Sequence, residues 1–309
     1  MPIHKGHMFL IETARQQVDE LTVLVCSIQK EPIPGALRYH WVKTLYPDLR
    51  VLHLTDENPQ VPEEHRFFWE IWIDAFQRNA PNTDIVFTSE DYGDELANRM
   101  NIQHIKVDKA RQTVPISATK VRNNPLLEWQ YIPKPVRPYY TKRIVLTGPE
   151  STGKSTLSQQ LAKHFQTTYV EEYGRTYTDK YGMDLNLMDI SHIAAGQLMR
   201  EDEKALEANK LLICDTDLIV TQIWSEIYFK QCPQWIHEVN HQRSYDLYLL
   251  LDIDIPWNDD GTREFPHLRQ YHFDRIKAEL ESRNCPYIVI SGSYEQRLQN
   301  AIAAIETIL

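Results

Sequence analysis

The run Gly148-Pro149-Glu150-Ser151-Thr152-Gly153-Lys154-Ser155-Thr156 has the residue types of a phosphate cradle. It follows the apolar stretch Arg143 to Leu146 and opens the helical pattern Thr156 to Phe165. That is the strand, G-x-x-x-x-G-K-S, helix order of a P-loop. Glycines let consecutive backbone N–H groups turn inward round a phosphate, and the first helical turn offers its unpaired donors to the same anion. Gly148, Ser151, Thr152, Gly153 and Thr156 then shape an ATP site, with Lys154 supplying positive charge for the β- and γ-phosphates. The Ser155 hydroxyl suits Mg²⁺.

Acids and arginines farther on fit phosphoryl transfer. Glu171-Glu172-Tyr173-Gly174-Arg175 ends a short strand, Thr168 to Glu171. There Glu172 is placed to orient or deprotonate an acceptor hydroxyl, Arg175 to counter phosphate charge, and Tyr173 to stand on the substrate side. The same glutamates also read as loop caps. Leu211 to Asp217 is an apolar strand ending in acid, so Asp215 is expected to reach Mg²⁺ through its waters. Asp217 reads either as a ribose ligand or as a helix cap. The segment Ile255 to Arg263, followed by Arg269, has the composition of a phosphate-covering lid, in which Arg263 and Arg269 neutralise the moving charge. An ordinary surface loop fits that composition too.

The first half carries a second set. His4-Lys5-Gly6-His7 opens a helix, and two histidines bracketing a glycine can donate to phosphate oxygens where Gly6 admits close backbone approach. Ile116 to Arg122 places a capping Ser117 before Thr119 and Arg122, which lie three apart on one helical face. Two hydroxyls and a guanidinium suit a triphosphate tail. Arg38 and Trp41, also three apart, offer a guanidinium and an indole to a cationic ring, although aromatic residues at this spacing more often form core. Asp91 follows a strand directly, where open α/β sheets take ligands or where a helix is capped.

Alternating strand and helix patterns run through both halves, so the expected class is α/β. Ile132 to Pro138 packs three prolines into seven residues and reads as a stiff connector, dividing the chain into 1–137 and 138–309. The 309 residues carry a formal charge of −10, which offers no positive field to nucleic acid or an anionic membrane. No apolar run approaches the roughly 18 residues of a membrane span. Four cysteines without metal spacing suit reduced thiols in a cytoplasmic protein. A homo-oligomer stays open.

H-x-G-H with the later I-S-x-T-x-x-R resembles the nucleotidyltransferase superfamily. Joined to the P-loop half with Glu-Tyr-Gly-Arg, Cys-Asp-Thr-Asp and Pro-Trp-Asn-Asp-Asp-Gly-Thr-Arg, the whole chain resembles the NadR family. The resemblance implies a Rossmann-like nucleotidyltransferase sheet followed by a P-loop kinase parallel sheet. It implies ATP-dependent phosphorylation of ribosylnicotinamide to nicotinamide mononucleotide, then adenylyl transfer from ATP to give NAD and pyrophosphate. His4, His7, Ser117, Thr119 and Arg122 would contact the nucleotide phosphates in the second reaction. Family members with an N-terminal helix-turn-helix domain bind DNA through it; this chain lacks room for one, so no nucleic-acid partner is expected. The superfamily also has a central strand just before H-x-G-H. With three residues preceding His4, the expectation is a first sheet lacking that strand, with a groove in its place.

Overall fold

The computed structural model describes residues 1–257 and 266–309. Two units are distinguished, Met1–Val136 and Arg137–Leu309. In the first, α1 (Lys5–Arg15) leads to β1 (Thr22–Cys26), α2 (Gly35–Leu45), β2 (Arg50–Leu54) and α3 (Phe68–Asn79). Then come β3 (Ile85–Thr88), α4 (Tyr92–Met100), β4 (Gln103–Lys106) and α5 (Ala118–Asn123). β1 pairs with β2 and β3 with β4, each in parallel, as two separate two-stranded sheets. Every residue of β1 and of β3 lines one cleft of about 1300 Å³. The groove expected from the sequence is present, bordered by strand edges that pair with no further strand among the described residues.

The second unit begins with a helical turn, α6 (Arg137–Tyr140), directly after a 3₁₀ turn at Lys134–Val136. The prolines here do not make an extended connector. Pro135 and Pro138 occupy opening turns, where the missing N–H would be unpaired in any case. There follow β5 (Lys142–Thr147), α7 (Lys154–His164), β6 (Tyr169–Val170), α8 (Tyr173–Tyr181) and α9 (Leu187–Ala205). β7 (Leu211–Asp215), α10 (Leu218–Phe229), α11 (Gln234–Gln242) and β8 (Leu247–Leu251) come next. The unit closes with α12 (Arg269–Ser282), β9 (Tyr287–Ile290) and α13 (Tyr294–Glu306).

All five strands are parallel, in the order β6-β7-β5-β8-β9. Alternate residues feed two cores. Ile144, Leu146, Ile213 and Leu249 pack on one side with Leu157 and Leu161 of α7 and Ile305 of α13. Val145, Leu212, Cys214 and Leu250 pack on the other with Ile219 and Ile223 of α10 and Ile276 of α12. Coverage on both faces explains why β7 and β8 read as unbroken apolar runs. The order makes β6, β7 and β5 neighbours, so the segments leaving their carboxyl ends share one edge. Leu146 sits opposite Asp215, and Val170 opposite Cys214.

Candidate active sites

The P-loop leaves β5 at Thr147 and enters α7 at Lys154. Its two glycines are required by geometry. Gly148 has φ +143° and Gly153 φ +83°, and a Cβ on Gly148 would meet the Leu251 carbonyl oxygen at 2.9 Å. Thr152 Oγ1 donates to the Pro149 carbonyl at 2.8 Å, tightening the loop from within. Lys154 Nζ donates to the carbonyls of Gly148 and Pro149, both at 2.9 Å, which keeps the ammonium inside the cradle. Arg269 donates to the Ser151 carbonyl at 3.4 Å and to that of Ile255 at 3.1 Å. Arg297, buried on α13, donates to the Thr152 and Asp252 carbonyls at 2.9 Å each, pinning the loop to the end of β8.

Asp215 is buried at the end of β7. Burial first, and the charge of Glu172 second, push its carboxyl above the usual range, while Lys154 and a hydrogen bond from Ser155 pull the other way. Its Oδ1 has no partner within the described residues. A carboxylate with a free oxygen beside the P-loop hydroxyl is a donor set that fits Mg²⁺, which takes one or two protein oxygens and completes its shell from phosphates and water.

A cavity of about 310 Å³ runs from Gly148 and Gly153–Thr156 past Glu172 and Arg175. It continues into a compartment walled by Ile190 and Ile193 of α9, Val220 and Trp224 of α10, and His272 of α12. His272 stands edge-on to Trp224 with centroids 4.1 Å apart, and burial lowers its pKa to about 4, so it is neutral near pH 7.

In the first unit, Ile3, His4, Gly6, His7, Ser117 and Thr119 line the cleft together. His4 caps α1: Nδ1 accepts from the N–H groups of Gly6 at 3.1 Å and His7 at 3.4 Å. An accepting Nδ1 requires the neutral ring with its proton on Nε2. The His7 ring stacks on it with centroids 3.9 Å apart. Burial leads in lowering both pKa values, to about 3 for His4, where His7 and Arg111 add to it, and to about 4 for His7. Arg111 lines the same cleft and pairs with Glu90 at 3.1 Å.

Residues 143–297, just over half of the 309-residue chain, match the family described as AAA domain. The chain belongs to the AAA-domain family. Residues 2–124 match the family described as cytidylyltransferase-like. Over 334 aligned positions the chain is 28% identical to the trifunctional NAD biosynthesis/regulator protein NadR of Escherichia coli K12, covering all of this chain and 81% of that protein. The protein of the same name from Salmonella typhimurium LT2 is 27% identical over the same spans. Over its full length the chain is thus a homologue of NadR. The crystal structure of NadR protein in complex with NR shares the fold, with TM-score 0.85 at 22% identity over 99% of this chain and 93% of that one. The NadR complex with NAD and AMP-PNP gives TM-score 0.84, also at 22% identity, over 99% and 92%. Both units thus have the α/β folds expected from the sequence.

Several expected site residues lie elsewhere. Trp41 is 3% exposed and packs in the core of the first unit, lining no part of the cleft. Arg38 does line it, but its guanidinium is committed to Glu31 and to the Cys26 carbonyl. Asp91 is exposed and bridges Lys106 at 2.8 Å and Lys109 at 2.7 Å. Arg122 is not in the cleft lining itself but contacts the sulfur of Met1, which is. Asp217 sits at the N-cap position of α10, fully buried, accepting from Tyr248 Oη at 3.0 Å. Tyr173 packs its ring against Gly196 and under Arg200, 4.6 Å from the guanidinium. Arg263 lies outside the described residues. Gln197, Trp224 and His272 line the cavity without belonging to any sequence motif. Gln197 was detectable as a polar residue on the buried stripe Ile190, Ile193, Ala194 and Gln197 of α9.

Proposed function

We propose that the second unit transfers the γ-phosphoryl group of ATP to the 5′-hydroxyl of ribosylnicotinamide, giving nicotinamide mononucleotide. The first unit then adds AMP from ATP to that product, giving NAD and pyrophosphate. The observation that carries this is one cavity holding the P-loop, Glu172 and Arg175 together with a compartment walled by Trp224, His272 and aliphatic side chains. The names of the NadR relatives, and the NR, NAD and AMP-PNP in the related structures, supply the substrates.

Backbone N–H groups of the P-loop hold the phosphates, and Lys154 neutralises charge as the γ-phosphoryl moves. Glu172 orients the acceptor hydroxyl and takes its proton, and Arg175 counters the charge between donor and acceptor. Ser155 and Asp215 would hold Mg²⁺, which adds charge neutralisation at the β- and γ-phosphates. In the first unit, neutral His4 donates from Nε2, with His7, Ser117, Thr119 and Arg111 completing a triphosphate site. Arg269 steadies the P-loop at Ser151. Four free cysteines fit a cytoplasmic enzyme. No described helix is long and apolar enough to cross a membrane.

Alternatively the second unit alone is catalytic, and the first binds pyridine nucleotide without turnover as a sensor. The open cleft between β1 and β3 favours this version. Two assays decide. Ribosylnicotinamide with Mg-ATP is expected to give the mononucleotide and ADP; no product there overturns the kinase. Mononucleotide with Mg-ATP is expected to release pyrophosphate; NAD binding without release leaves the sensor.

A further inference from the structure

One polar group in the acceptor compartment has no part in the steps above. Gln197, on α9, is 1% exposed and lines the cavity. Its Oε1 accepts from the Tyr173 backbone N–H at 2.8 Å, which fixes which way the amide faces. Its Nε2 has no partner within the described residues. A buried amide that keeps two donors unpaired is costly, and a ligand oxygen would remove that cost. Gln197 is also the one carboxamide side chain among the described residues lining the cavity. Beside it, Ile190, Ile193, Val220 and Trp224 form apolar walls suited to a planar ring, so an oxygen carried on the ring edge is the group it would meet.

Resting on the kinase assignment, we propose that Gln197 selects the acceptor by donating from Nε2 to an oxygen on its base, the carboxamide carbonyl of ribosylnicotinamide. A ribose hydroxyl presents the same acceptor chemistry, and the choice of substrates separates the two. kcat/KM is measured for ribosylnicotinamide and for N-ribosylpyridinium, which lacks the carboxamide, in wild type, Gln197→Met and Gln197→Glu. The glutamate keeps an oxygen for the Tyr173 N–H and preserves shape, covering the case in which the methionine variant fails to fold.

Wild type is expected to favour ribosylnicotinamide by about 10- to 100-fold, mostly through KM, and each folded variant to bring the ratio within about threefold of one. A preference that survives substitution, or equal loss on both ribosides, overturns the assignment and leaves Gln197 acting on the ribose or on Tyr173 alone. Absence of any preference in wild type overturns it as well. If wild type phosphorylates neither riboside, the kinase assignment falls and takes this one with it.

Discussion

His4 does two jobs with two nitrogens. Nδ1 caps α1, and in the proposed reaction the proton on Nε2 is the one donated to phosphate. His4→Ala removes both functions and is expected to cost about 1 kcal/mol of stability through the lost cap. His4→Asn restores an accepting oxygen for the cap but no donor at the Nε2 position. Thermal unfolding should therefore recover with asparagine, while pyrophosphate release stays lower by about 10²-fold in both variants. Recovery of both together would assign His4 a structural role alone. Asp217 offers a pH test in the second unit. Burial raises its pKa to about 7, against the hydrogen bond from Tyr248. The folded state therefore holds a proton that the unfolded state releases near pH 4, so this group makes stability fall as pH rises from about 4 to 7. Asp217→Asn should remove that slope, gaining on wild type across the window and reaching on the order of 1–3 kcal/mol by pH 8. Denaturant unfolding at several pH values checks it, and a constant offset would contradict the assignment.

At the scale of elements, α9 matters most because it carries Ile190, Ile193 and Gln197 into the acceptor compartment. Its start is held by a capping box, with Asn186 accepting from the N–H of Asp189 and the Asp189 side chain accepting from that of Asn186. Asn186→Ala should lower stability by about 1 kcal/mol, a fall of about 2–4 °C in Tm for a unit of this size. Elements with local signals were legible in the sequence. β5 and α7 flank a motif whose glycines and lysine announce the turn, and Ser117 caps α5 as expected, accepting from Lys120 at 3.2 Å. α10 was not legible. Its opening run, Leu218 to Ile223, is buried nearly all round, so it shows no amphipathic stripe and its β-branched residues mimic a strand. Trp224, which walls the acceptor compartment from that helix, was hidden with it. α3 starts at Phe68, after a 3₁₀ turn at Pro62–Glu64.

Across the whole molecule, the two phosphate sites differ in how much of each the sequence carries locally. The P-loop is contiguous, so eight residues announced it. The compartment beside it draws on α8, α9, α10 and α12, and no spacing rule joins residues 172, 197, 224 and 272 before the chain has folded. In the first unit the sequence carried both signatures and the groove. Of its two readings of Trp41, the core one holds, because α2 packs on β1 and β2. By the function proposed above, two phosphate sites on one chain run two reactions. Lys154→Ala tests it most directly, with phosphorylation of ribosylnicotinamide and pyrophosphate release from nicotinamide mononucleotide measured on the same preparation. Phosphorylation is expected to fall by about 10²–10³-fold, with pyrophosphate release within about twofold of wild type. Equal loss in both reactions, or undiminished phosphorylation, would contradict the account.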